Sequence, residues 1–109
     1  MLAQPYRLPA TAKLTNSRYL KTPFYGVKYA PNNLELSRFG FVVRKTVDKR
    51  SVVRNRIRRV LRSCIEEQLE SIKPGYDMLF FLEKGIMDKK QADLCQIVAQ
   101  SLKERSLLK

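Results

Sequence analysis

The chain has 109 residues, 44% of them hydrophobic, with five Phe, five Tyr and a formal net charge of +12. That length holds one domain, residues 1–109, around one modest core, and the apolar content is well above that of disordered chains. There is no histidine, which excludes His-based acid–base, metal or nucleophile-activating chemistry. No apolar run approaches the ~20 residues of a membrane span, and the N-terminus lacks a signal-peptide core, so a cytoplasmic, thiol-reducing setting and no membrane contact are expected.

Residues 1–23 are basic and loop-rich, punctuated by Pro5, Pro9 and Pro23, with a short helix expected over Thr11–Leu20 anchored by Leu14. Phe24–Ala30 reads as a strand, with Tyr25, Val27 and Tyr29 on one face and Phe24, Gly26 and Lys28 on the other. Pro31-Asn32-Asn33 signals a turn, and Arg38–Arg44 a second strand whose Phe39, Phe41 and Val43 share a face. The short connection predicts that these two strands pair antiparallel.

From Ser51 or Val52 to Ile72 the period becomes helical, with Val53, Ile57, Val60, Leu61, Cys64, Ile65, Leu69 and Ile72 in one stripe. Pro74-Gly75 ends this helix. Tyr76–Leu82 is almost continuously apolar, the mark of an interior strand covered on both faces. Asp88 is placed to cap a last helix reaching about Leu108, with Leu94, Cys95, Val98, Ala99 and Leu102 as its stripe. Helices on one face of a small sheet would bury both stripes.

Cys64 and Cys95 match no metal-ligand spacing, and both fall within apolar stripes, so they are expected as reduced core residues. The ten carboxylates are scattered; Glu66, Glu67 and Glu70 form the one close group and read as a solvated helix face. A catalytic site made of protein side chains is therefore not expected.

The most informative stretch is Arg44–Arg62, which holds nine basic side chains (Arg44, Lys45, Lys49, Arg50, Arg54, Arg56, Arg58, Arg59, Arg62) against one acid, Asp48. The cations crowd the N-terminal half of the long helix and Glu66, Glu67 and Glu70 its C-terminal half, the reverse of what the helix dipole favours by roughly 0.3–1 kcal/mol per charge. Arg54–Arg58 and Arg58–Arg62, each four residues apart, also repel. A bound phosphate backbone would relieve both penalties. Every cation from Arg54 to Arg62 is arginine, whose planar fork grips a phosphate with two hydrogen bonds, and Asn55 offers a donor and an acceptor beside them. Alternatively, Asn55 serves as a helix-start residue.

The run Phe39-Gly40-Phe41-Val42-Val43-Arg44-Lys45 followed by Val52-Val53-Arg54-Asn55-Arg56-Ile57-Arg58-Arg59-Val60-Leu61-Arg62 resembles the signature of the bacterial ribonuclease P protein subunit. Arg7-Leu8, Gly75-Tyr76-Asp77 and the basic C-terminal helix extend the resemblance over nearly the whole chain. It implies an α+β fold like the second domain of ribosomal protein S5: a small, mostly antiparallel sheet with helices packed on it and a left-handed βαβ crossover. It also implies a non-catalytic protein subunit of an endoribonuclease whose RNA removes the 5′ leader of precursor tRNA. The partners would be the ribonuclease P RNA, bound 1:1, and precursor tRNA, with Mg²⁺ held mainly by the RNA.

Carried over by position, Lys45, Lys49, Arg50, Arg54, Asn55, Arg56, Arg58, Arg59 and Arg62 would contact RNA. Leu14, Arg18, Tyr29 and Arg58 would line the leader cleft, Tyr29 by stacking on an unpaired base. The plain reading of Tyr29 is sheet packing. The chain departs from the family where relatives place two phenylalanines on the first helix: it has Leu14 and Arg18, with Tyr19 adjacent. Arg44 and Thr46 likewise replace a more usual Ser and Lys. A ribosomal or other structural RNA-binding protein is the competing reading of the same basic helix.

Overall fold

The structure, a computed structural model, describes residues 4–9 and 12–109, without the side chains of Met87 and Asp88. Among the described residues four strands form one sheet: β1 (Arg18–Lys21), β2 (Tyr25–Pro31), β3 (Arg38–Val42) and β4 (Tyr76–Leu82), in the order β1-β2-β4-β3. Two α-helices, α1 (Ser51–Gln68) and α2 (Gln91–Glu104), pack on one face of it. This is the expected α+β architecture of a mostly antiparallel sheet with helices on it.

β4 holds the middle. It pairs antiparallel with β2 (Val27 opposite Phe80) and parallel with β3 (Phe41 opposite Phe80). Its run of apolar residues suits a strand flanked on both sides, and Met78, Leu79 and Phe80 are all buried. The expected antiparallel pairing of the second and third strands is therefore corrected: β4 is inserted between them, because its side chains find neighbours on both faces only at the centre. β3, α1 and β4 together make a parallel βαβ crossover.

Alternation sends Leu20, Tyr25, Val27, Tyr29, Phe39, Phe41, Met78, Phe80 and Leu82 toward the helices. There they meet Val53, Ile57, Leu61, Cys64 and Ile65 of α1 and Leu94, Val98 and Leu102 of α2. Phe80 stacks on Phe41 with ring centroids 5.3 Å apart and leans on Tyr25 at 5.6 Å. The Tyr25 hydroxyl bonds to Ser101 and donates to the Ile97 carbonyl, both on α2, and burial pushes its pKa up to about 12. This phenol ties the sheet to α2 while satisfying its own buried oxygen.

Two further expectations change. The helix expected over 11–20 is absent among described residues 12–20 (Thr11 lies outside them); the chain there is coil and then β1. Asn16, with φ of 55°, takes a left-handed conformation just before β1, which pairs with β2 along its whole length. The two cysteines are joined, Cys64 on α1 to Cys95 on α2, with Cα atoms 4.9 Å apart, rather than reduced. The stripes that bury them bring the helices into contact at this point, where both sulfurs share one gap. Helix ends also shift: α1 stops at Gln68, with a 3-10 turn over Leu69–Ser71, and α2 begins at Gln91 behind Lys90 rather than at Asp88. No helix among the described residues is long and apolar enough to cross a membrane.

Candidate nucleic-acid interface

The buried stripe of α1 fixes where its cations point. With Val53, Ile57, Leu61, Cys64 and Ile65 against the core, Asn55, Arg56 and Arg59 are exposed and Arg54, Arg58 and Arg62 are half-buried at the flanks. The loop from β3 into α1 adds Arg44, Lys45, Lys49 and Arg50, all exposed. Buried Val43 and Val47 and the Val47 amide, which donates to the Arg44 carbonyl at 3.0 Å, pin this loop to the core. The basic loop and the first three turns of α1 thus make one continuous surface.

Local bonds orient this surface without neutralising it. Asp48 accepts from the Arg50 amide at 2.8 Å and from Arg50 Nε and Nη2 at 3.0 and 2.9 Å. Arg54 Nη1 donates to the carbonyls of Asp48 and Lys49, which closes the loop onto the helix. Arg58 Nη1 donates to Asn55 Oδ1 at 2.6 Å, one helical turn away. Arg50 pairs with Asp48, and Arg38 with Asp77. Arg44, Lys45, Lys49, Arg56 and Arg59 are exposed to solvent.

Asp48 carries a testable consequence. The side-chain and backbone hydrogen bonds from Arg50 hold its carboxyl down at about 2. A depressed native pKa contributes stability that is complete above the unfolded value, roughly 4, and drains away as pH falls through about 2. Titration followed by the carboxyl carbon resonance should give a midpoint near 2 for Asp48; an ordinary carboxylate midpoint would mean that Arg50 does not hold it in solution.

At the outer edge of β3 lies a groove of about 570 Å³, lined by Arg7, Leu8, the strand from Phe39 to Val43, Arg58 and Arg62. Its outer wall is the N-terminal segment, whose Leu8 amide donates to the Phe39 carbonyl at 2.9 Å. Because that carbonyl points off the sheet edge, the amide and carbonyl of Phe41, two residues on, point the same way. Burial and then the like charges of Arg7 and Arg58 lower the pKa of Arg62. An anion in the groove would relieve that repulsion.

A second groove, about 460 Å³, opens on the sheet face away from the helices. Here Lys28 Nζ and Arg44 Cζ lie 5.6 and 6.0 Å from the Phe81 ring centroid, and Tyr19, 48% exposed, lies over Gly26. Tyr19, Lys28 and Phe81 were not singled out as binding residues. The signal was the strand alternation, which puts Lys28 on the face opposite Tyr29.

The proposed cleft residues do not meet in one groove. Tyr29 is only 6% exposed and belongs to the core. Arg18 is exposed on β1, opposite Tyr29 in register, whereas Arg58 borders β3, the other edge of the sheet. Three strand spacings of ~4.8 Å separate those edges. Leu14 is half-buried in coil. Lys45, Lys49, Arg50, Arg54, Asn55, Arg56, Arg58, Arg59 and Arg62 do come together on the loop and α1. Among the described residues no group of three His, Cys, Asp or Glu side chains is placed to hold a metal ion.

A mostly antiparallel sheet with one helical layer and a dense arginine surface beside its parallel crossover defines a small basic α+β protein of the nucleic-acid-binding kind. The Ribonuclease P family profile matches residues 12–105, and the chain belongs to that family. A ribonuclease P protein component from Cyanothece sp. is 32% identical over 99% of this chain and 98% of its own length. One from Dehalococcoides mccartyi is 36% identical over 79% of this chain and 69% of its own. Among solved structures, the ribonuclease P protein of Thermotoga maritima superposes with a TM-score of 0.76 at 19% identity, covering 82% of this chain and 84% of that one. That of Staphylococcus aureus gives 0.79 at 18%, covering 95% and 98%.

Proposed function

We propose that this chain is the protein subunit of ribonuclease P, the ribonucleoprotein that removes the 5′ leader from precursor tRNA. It binds the catalytic RNA, one copy to one, through Lys45, Lys49, Arg50, Arg54, Asn55, Arg56, Arg58, Arg59 and Arg62. The observation that carries this reading is the arginine surface of α1, on which Arg56 and Arg59 are exposed and Arg54 is held by the Asp48 and Lys49 carbonyls. Arginine forks spaced along a rigid helix match successive phosphates of a folded RNA.

The chain itself is non-catalytic in this reading. It has no histidine, Asp48 and Asp77 are each engaged by an arginine, and among the described residues no three carboxylates are placed to hold Mg²⁺. The RNA holds the Mg²⁺. The precursor leader lies along the outer edge of β3, where Arg58, Arg62 and Arg7 meet its phosphates. Tyr29 supports the sheet from within, and Arg18 and Leu14 stand outside this groove. The cytoplasm, where tRNA precursors are made, is the expected place of work.

Reconstitution tests the whole reading. The chain alone should leave precursor tRNA intact, and added to ribonuclease P RNA at low Mg²⁺ it should stimulate 5′ cleavage. Cleavage without the RNA would make the chain itself a nuclease. RNA binding without stimulation would favour a ribosomal or other packaging protein.

A further inference from the structure

The Cys64–Cys95 bond involves none of the residues proposed to contact RNA. Cys64 is fully buried (0% exposed) on the inner stripe of α1, while Cys95 on α2 is half-buried. At about 100° per residue, Asn55, Arg59 and Arg62 fall on the side of α1 away from Cys64, while Arg54 and Arg56 sit on its flank, two or more turns toward the N-terminus. The crossing is tied a second time by Gln68, whose Nε2 donates to the Cys95 carbonyl at 3.1 Å. The bond spans a sequence separation of 31 residues, and the chain it encloses includes β4, the strand on which both β2 and β3 depend.

We propose that Cys64 and Cys95 form a redox modification site: a thiol–disulfide pair that sets the stability of the fold and leaves the arginine surface unchanged. Cys95, the less buried residue of the two, is the one a small reagent meets. Its thiolate attacks one sulfur of a low-molecular-weight disulfide; that S–S bond breaks, one reagent thiol leaves, and a mixed disulfide remains on Cys95. The Cys64 thiolate then attacks Cys95 Sγ and expels the second reagent thiol. Two electrons and two protons pass from the chain to the reagent, which ends as two thiols. A dithiol reverses the sequence by attacking at Cys95. The closed form is the more stable because the link restricts the unfolded chain, in which α1, β4 and α2 would otherwise separate freely.

The test uses the full folded chain, treated with oxidised glutathione or with dithiothreitol and then freed of reagent. Intact mass should show the oxidised form lighter by two hydrogens, with no alkylatable thiol. It should melt about 10–20 °C above the reduced form, whereas Cys95→Ser should melt like the reduced chain under both treatments. The two wild-type forms should bind ribonuclease P RNA with the same affinity. This last arm rests on the function proposed above; the mass and melting arms do not. Two thiols persisting in the folded chain under oxidant, or equal melting of the two forms, would overturn the site. A several-fold difference in affinity would overturn its separation from the arginine surface.

Discussion

Replacing Lys45, Arg56 and Arg59 together by alanine should weaken binding of ribonuclease P RNA about a hundredfold near physiological salt and leave the melting temperature unchanged. Each phosphate contact releases roughly 0.7–0.9 of a condensed counterion, so three lost contacts remove about fivefold each at ~0.15 M salt. The plot of log affinity against log salt should become shallower by two to three units, roughly one per side chain. These three positions suit the test because all are exposed and none belongs to the buried core: the packing of α1 depends on Val53, Ile57, Leu61, Cys64 and Ile65. Removing positive charge from the first half of the helix even lessens repulsion and the conflict with its dipole. Filter binding over a salt series, beside thermal melts, separates the outcomes. An unchanged slope would place the RNA elsewhere on the molecule. A lowered melting temperature would show that the loop and helix need these side chains to fold.

The arginine surface was legible in the sequence because a helix of 18 residues repeats its pattern five times over. Once the apolar stripe is assigned, the cations have one side left. β4 was legible for a related reason, since Tyr76–Leu82 offers apolar side chains to both faces and only a central strand satisfies both. What stayed hidden depended on contacts distant in sequence. The neighbours of β2 are decided by β4, about fifty residues further along, and local chain proximity argued for β3 instead. That strand order in turn places Arg18 and Arg58 at opposite edges of the sheet.

β1 was hidden by its brevity. Arg18–Lys21 has four residues at a sheet edge and too little alternation to outweigh the helical spacing of Leu14 and Arg18. The Thr15-Asn16-Ser17 run was the available turn signal, and Asn16 does take up a left-handed conformation there. The Cys64–Cys95 pairing needed knowledge of where two helices cross, which their separate stripes do not contain.

Gly40→Val should detach the N-terminal segment from β3 and open the groove proposed for the leader. A side chain at Gly40 would begin 2.7 Å from the Leu8 carbonyl oxygen and 2.8 Å from Leu79 Cδ1. Leu79 Cδ1 ends a flexible side chain and can rotate away. The Leu8 oxygen belongs to backbone held by the Leu8–Phe39 hydrogen bond, so the segment itself must move. Strand propensity favours valine over glycine by up to about 1 kcal/mol, yet overpacking of this kind costs about 1–3 kcal/mol, so the clash wins. A lower urea midpoint is the first expected result. The second is functional: binding of precursor tRNA by the reconstituted complex should fall toward that of mature tRNA, because Arg7 and Leu8 no longer wall the groove. In a chain shortened to begin after Pro9, Gly40→Val should lose most of its penalty, since the obstructing carbonyl is gone. An equal penalty in the full and shortened chains would place the strain at Leu79, inside the sheet, and would leave the N-terminal segment without a part in forming the groove.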